Sequence, residues 1–366
     1  MRYPIEPGRP IVVKIGSSSL TTSGGVIDAE AIDRVTSQIS WLRDAGHPAV
    51  LVSSGAVVAG LPSLGIIERP GDLPGLQAAA AVGQSKLIER YSQAFAEHDL
   101  VVGQVLLTRD VLAGREPHLH ARAALDRLLS LGIVPIVNEN DTVAVDELRF
   151  GDNDRLAAIV SHLVNAGLLI ILTDTPGLYA HDPRLVAEPE LLSAVRHTDD
   201  VLDGLDAGGS AGTFGSGGVA TKVAAARMAA FSGIPTVVVG AIEPNAVRHA
   251  VAGEDVGTWV GPRSTGLGAR RLWIAFSLPS LGVLTVDEGA VAALVDDGRS
   301  LLAAGVVGVK GDFLRGDAVE IHDEVGRLIG KGLAGLAGST LRDVLGRHTS
   351  VAGGAAVHRD DLIVLV

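Results

Sequence analysis

A chain of 366 residues, 47% of them apolar and 20% charged, has enough core-forming material for two globular domains and does not have the composition of a disordered protein. Its net charge of −12 argues against a long electrostatic track for a nucleic-acid backbone, which needs clustered Lys and Arg. Cysteine is absent, which removes disulfides, thiolate metal sites and thiol nucleophiles together and makes the cytoplasm the expected location.

The N-terminal stretch MRYPIEPGRPIVVKIG breaks its apolar content with prolines and charges, so it lacks the core of a secretory signal, and no apolar run reaches membrane-spanning length. The first expected strand, PIVVKIG, carries Lys14 where a charge is normally excluded and runs into Gly16 and Ser17. DAEAIDRVTSQISWLRDAG follows with the apolar spacing of an amphipathic helix, and AVLVSSG reads as a second strand ending in Ser53, Ser54 and Gly55. LVVGQVLL is a third strand and HLHARAALDRLLSLG a second helix. IVPIVNEN is a fourth strand, and it opens a segment with six carboxylates between residues 135 and 155. LLIILTD ends at Thr173 and Asp174, and IPTVVVG supplies another strand.

This alternation predicts an α/β fold, a mostly parallel sheet sandwiched by helices, whose ligands bind beyond the carboxyl ends of the strands. The polar residues after each strand are then candidates for one shared crevice, although serine, asparagine and aspartate also serve as ordinary helix caps. Residues 1–261 are expected to form this domain, 262–280 a linker rich in Gly, Pro, Ser and Arg, and 281–366 a small domain of short, barrel-like strands. Helices there are expected to start at Asp287 and Ser339.

Phosphate chemistry is suggested by a second lysine. Lys222 closes GGSAGTFGSGGVATK, whose six glycines run directly into a helical pattern. Exposed backbone N–H groups, a helix N-terminus and a lysine make a phosphate cradle. A lone lysine at a strand end can equally snorkel to solvent, and a glycine-rich loop can simply be mobile. GSGGVA is a poor dinucleotide fingerprint because no strand precedes it, and the Walker pattern is absent, so a nucleoside triphosphate would be bound another way. HLH at 118–120 puts its rings on different helix faces and reads as structural, and no protein metal ligands are expected.

VVKIGSSSL, VSSGAVVAG, AAVGQSKL, GQVLLTRDV, IVPIVNENDTV, GDNDRLAA, LTDTPGLYAHDPR and GSGGVATKVAAA, in this order, resemble the glutamate 5-kinases of the amino-acid kinase family. LGVLTVDEGAVAALV, GDFLRGDAVEI and VHRDDLIVL resemble a PUA domain. The resemblance covers nearly the whole chain. It implies the amino-acid kinase fold plus a small β-barrel-like PUA domain, and transfer of the γ-phosphoryl group of ATP, with Mg²⁺, to the γ-carboxylate of L-glutamate. L-glutamyl 5-phosphate, the first intermediate toward proline, would result. A carboxylate is already anionic at neutral pH, so such a site needs alignment and charge neutralisation and no general base.

By the resemblance, Lys14 and Lys222 stabilise the transition state and Asp154 orients them. Asp141 grips the α-ammonium of the substrate with Asn138 and Asn153, while Ser54 and Gly55 receive the acceptor end. The nucleotide site comprises Lys14, Gly16, Ser17, Thr173, Asp174, Ser216, Gly217, Gly218, Val219, Ala220, Thr221 and Lys222. Asp152 is divided between the ammonium and a helix cap; Glu139, Asp146 and Glu147 are expected as solvated loop charge. Two departures are small: GSS stands for the usual GTS, and SSG for TSG.

The resemblance also implies feedback inhibition by proline, a homo-oligomer (tetramer or dimer) and a downstream γ-glutamyl phosphate reductase. One alternative is a sister kinase acting on N-acetylglutamate, aspartate, carbamate or UMP. Another is RNA binding through the C-terminal domain, but residues 281–366 hold 8 Lys and Arg against 12 Asp and Glu, a net of −4, so nucleic acid is not expected as a partner.

Overall fold

Ile11–Ile15 (β1) is buried along its whole length, lysine included, because it lies in the middle of a sheet covered on both faces. Ile11, Val13 and Ile15 enter a large aliphatic core, so the two-residue period of a strand turns Val12 and Lys14 to the opposite face. The computed structural model of the chain describes residues 2–22, 26–108, 115–143, 153–184, 186, 188–199, 201–202, 205, 218–264, 266–345 and 354–366.

After β1 come α1 (Ala29–Asp44), β2 (Ala49–Ser53), α2 (Ala56–Gly60), α3 (Leu73–Ala96), β3 (Val102–Leu107), α4 (Arg115–Ser130) and β4 (Val134–Glu139). They are followed by α5 (Asn153–Leu163), β5 (Leu168–Thr173), β6 (Ala194–Arg196), α6 (Val219–Phe231), β7 (Thr236–Gly240), α7 (Ala246–Val251) and β8 (Thr258–Gly261). Asp28 starts α1 by accepting from the Glu30 N–H at 3.0 Å.

The eight strands pair in the order β3-β4-β2-β1-β5-β7-β8-β6. Every pairing is parallel except β7 with β8. All six strands read from the sequence are present; β6 and β8, three and four residues long, were not among them. β1 lies between β2 and β5, which the chain visits at different stages, so the carboxyl ends of β1 and β5 flank the point where the strand order reverses. α1, α3 and α7 contribute to the core on one face, and α5 packs over β1, β2, β4 and β5.

α2 and α3 touch backbone to backbone. A methyl group on Gly60 would overlap the Ala79 carbonyl, and one on Gly83 the Ala56 carbonyl. Only glycine permits that approach, which fixes α2, and the turn before it, against the long helix.

The chain divides into two compact units, residues 1–266 and 267–366. In the second, residues 267–280, the latter part of the stretch expected as linker, carry the short helix Ala269–Leu272, and Ile274 and Ala275 are buried there with Ile363. Then follow β9 (Gly282–Val286), α8 (Glu288–Val295), β10 (Leu301–Leu302), β11 (Val306–Lys310), β12 (Ala318–Asp323), β13 (Leu328–Ala334), α9 (Gly338–Asp343) and β14 (Ala355–Val364). The sheet order is β10-β14-β13-β12-β9-β11, antiparallel except for β9 with β12. Asp287 caps α8, accepting from Ala290 N–H at 2.7 Å. The cap expected at Ser339 is corrected: Ala337 precedes α9 and no side chain caps it. The first N–H, of Gly338, is satisfied instead by the Phe313 carbonyl at 2.9 Å. No helix among the described residues is long and apolar enough to cross a membrane.

Candidate active site

Two clusters meet at the first two residues of α5. Asp154, 1% exposed, forms an ion pair with Lys14 on β1, with Nζ 2.6 Å from Oδ1. Its other oxygen faces Lys222 of α6, with Nζ at 3.4 Å, and accepts from the Thr221 hydroxyl at 2.7 Å. Both lysines are buried. One carboxylate therefore joins two ammonium groups that enter from different elements of the fold.

Burial pushes the Asp154 carboxyl up, but the charges of Lys14 and Lys222 and the bonds from Lys14 and Thr221 outweigh it and hold the group well below the ordinary carboxylate range. Burial pulls Lys222 below the usual lysine value; Asp154 acts against that and Lys14 reinforces it. Asp174, exposed just past β5 and hydrogen-bonded to Thr173 at 3.1 Å, also raises Lys222. Gly16 lies against Lys14: a Cβ there would stand 3.4 Å from Nζ. Ser17 begins a short 3-10 turn after it. Gly218 is the extended N-cap of α6, and Val219, Ala220 and Thr221 form its first turn.

The second cluster is built from amides. Asn153 Nδ2 lies 3.0 Å from the Ser53 carbonyl, 2.9 Å from Ser54 Oγ and 3.0 Å from Asn138 Oδ1. Asn138 Oδ1 also accepts from the Glu139 N–H at 2.9 Å. The remaining halves of both amides, Asn138 Nδ2 and Asn153 Oδ1, are buried and have no hydrogen-bond partner among the described residues. Leaving a buried donor and acceptor unmet costs about 1–3 kcal/mol each, so a polar ligand has something to gain here. Gly55 follows with φ +99°, a conformation that favours glycine, and starts α2.

Asp141 lies two residues beyond β4, partly buried, and burial raises its carboxyl to about 6 while Arg69 pulls the other way. Ser216, Gly217, Asp146, Glu147 and Asp152 lie outside the described residues. Glu139 requires a correction. It is not solvated loop charge but the last residue of β4, 5% exposed, still paired with Leu107 of the edge strand, with its carbonyl accepting from Gln84 Nε2 at 3.3 Å. His118 and His162 face each other across α4 and α5, ring centroids 6.1 Å apart; burial lowers both, His162 to about 4.

Residues 9–240 match the model of the amino acid kinase family, and residues 282–351 that of the PUA domain. The chain belongs to the amino acid kinase family. Among its relatives within that family, the glutamate 5-kinase of Streptomyces coelicolor is 46% identical over 100% of this chain and 98% of its own length. Those of Myxococcus xanthus and Marinomonas are each 44% identical over 100% of this chain, and over 98% and 100% of their own lengths. In this kinase, then, the lysine pair and the amide cluster occupy the carboxyl edge of the family's sheet, where ligands of such folds bind.

Proposed function

We propose that this kinase transfers the γ-phosphoryl group of ATP to the γ-carboxylate of L-glutamate, giving L-glutamyl 5-phosphate for proline synthesis. The observation that carries the reading is the adjacency of a buried lysine pair, held on Asp154, to an amide cluster with open hydrogen-bonding groups. Full-length similarity to glutamate 5-kinases supports the choice of acid.

A γ-carboxylate oxygen attacks the γ-phosphorus as the bond to the ADP oxygen breaks, and no proton need be removed from the acceptor. Charge spreads over the equatorial oxygens of the moving group, so the chain's work is alignment and electrostatic stabilisation. Lys14 and Lys222 supply positive charge, and Asp154 fixes where both ammonium groups point. The backbone after Gly16, Thr173 with Asp174, and the first turn of α6 from Gly218 to Lys222 receive the nucleotide, together with Ser216 and Gly217. Donors of this kind suit phosphate. Mg²⁺ bound with the nucleotide would supply further neutralisation of the phosphate charge. Ser54 and Gly55 take the acceptor end, while Asp141, Asn138 and Asn153 take the α-ammonium. Proline keeps that amine and α-carboxylate, and inhibits by competing in the same region.

A hydroxamate assay with ATP and Mg²⁺ tests the reading. L-glutamate should be turned over and N-acetylglutamate, whose amine is blocked, should not; the reverse preference would make this a sister kinase.

A further inference from the structure

Tyr91 is fully buried on α3, in the aliphatic core beneath the sheet, two turns beyond the glycine that touches α2. Its hydroxyl lies 2.9 Å from Ser53 Oγ, and Ser53 is itself fully buried at the end of β2. The Ser53 hydroxyl in turn donates to the Ser54 carbonyl at 3.2 Å, so the bond to Tyr91 is completed by the phenol donating to Ser53. Burial pushes the Tyr91 phenol up, which keeps its proton in place.

The Ser54 carbonyl belongs to the same planar peptide as the Gly55 N–H, and the two point in opposite directions. A bond that fixes one therefore aims the other. From the far face of the sheet, Asn153 Nδ2 holds the neighbouring Ser53 carbonyl at 3.0 Å. The strand end is thus pinned from both sides, by an amide above and a phenol below. A tyrosine is an expensive choice for an aliphatic core unless its hydroxyl has a task, because phenylalanine fills nearly the same space with no polar atom to satisfy.

We propose that Tyr91 is a positioning residue for the acceptor, acting through the Ser53 hydroxyl to aim the Ser54–Gly55 peptide at the acceptor carboxylate. This rests on the acceptor reading given above.

The experiment is steady-state kinetics of the full chain, varying acceptor and ATP separately, for Tyr91→Phe, Ser53→Ala, the double variant and Ser53→Thr. Tyr91→Phe and Ser53→Ala should each raise KM for L-glutamate about 3- to 10-fold, the size of one lost hydrogen bond, with KM for ATP changed less than about twofold. The double variant should be no worse than the poorer single one, since both remove one linkage. Ser53→Thr, which keeps a hydroxyl, should recover the wild-type value. A purely structural tyrosine would lower thermal stability and leave the KM ratio unmoved, and that result, or additive losses in the double variant, overturns the proposal. Should Tyr91→Phe not fold, Ser53→Ala and its threonine rescue decide alone. Wild-type protein that leaves L-glutamate untouched but uses another acid defeats the acceptor reading alone, and Tyr91 is then judged on that acid; no turnover of any acid defeats both.

Discussion

The lysine cluster and the amide cluster begin on consecutive residues of α5, yet they are finished differently. Around Asp154 both carboxylate oxygens face cations, Oδ1 in an ion pair with Lys14 and Oδ2 beside Lys222 and the Thr221 hydroxyl. Around Asn153 one amide nitrogen and one amide oxygen, Asn138 Nδ2 and Asn153 Oδ1, are buried and unmet among the described residues. A pre-paired charge cluster is ready to act electrostatically on whatever anion arrives, and it discriminates little. A half-satisfied amide cluster costs stability until a ligand of matching polarity fills it, which is how a site selects.

The hardest way to break this contrast is to remove its shared carboxylate. Asp154→Ala leaves two buried ammonium groups without their common partner. Folding stability should fall by about 3–5 kcal/mol, and kcat should drop about a hundredfold or more as Lys14 and Lys222 lose orientation. Lys14→Ala should lose turnover on a similar scale; near-normal kcat in a folded variant would remove the lysine from the mechanism.

On the selective side the expected loss is in binding. Asp141→Ala should raise KM for glutamate much more than KM for ATP, and equal changes would contradict an ammonium contact. The raised carboxyl of Asp141 also sets a pH dependence. Above about 6 the group is charged and attracts the amine; as pH falls through that value a proton neutralises it, so KM for glutamate should climb in acid. Asp141→Asn should flatten this rise, and a profile identical to wild type would assign the titration elsewhere.

The smallest effect expected concerns the platform under the Ser54–Gly55 turn. Gly83→Ala puts a methyl group into the Ala56 carbonyl, and the strain of about 1–3 kcal/mol should exceed the roughly 1 kcal/mol that alanine gains in a helix interior. Scanning calorimetry should show a lower Tm. An unchanged Tm would mean that α2 and α3 part easily.

Much of this was legible in the sequence, for identifiable reasons. Lys14 stood out because a charge inside an aliphatic strand needs an explanation, and the long apolar runs marked six strands. β6 and β8 are too short to carry a periodic signal, and β8 also runs against the parallel pattern. Glu139 misled because composition cannot show where pairing ends. Tyr91 gave no sign at all, since an aromatic in an amphipathic helix looks the same whether or not its hydroxyl meets a serine 38 positions away. The Ser339 cap failed because a distant loop carbonyl took the cap's role.

Because Asn153 and Asp154 are covalent neighbours, the interval between the backbones of the amide cluster and the lysine cluster is set there by one peptide link, about 3.8 Å from Cα to Cα. Thermal breathing of the sheet can tilt this pair but cannot stretch it. At that point the two clusters share one backbone anchor, whose bond lengths no distant mutation alters.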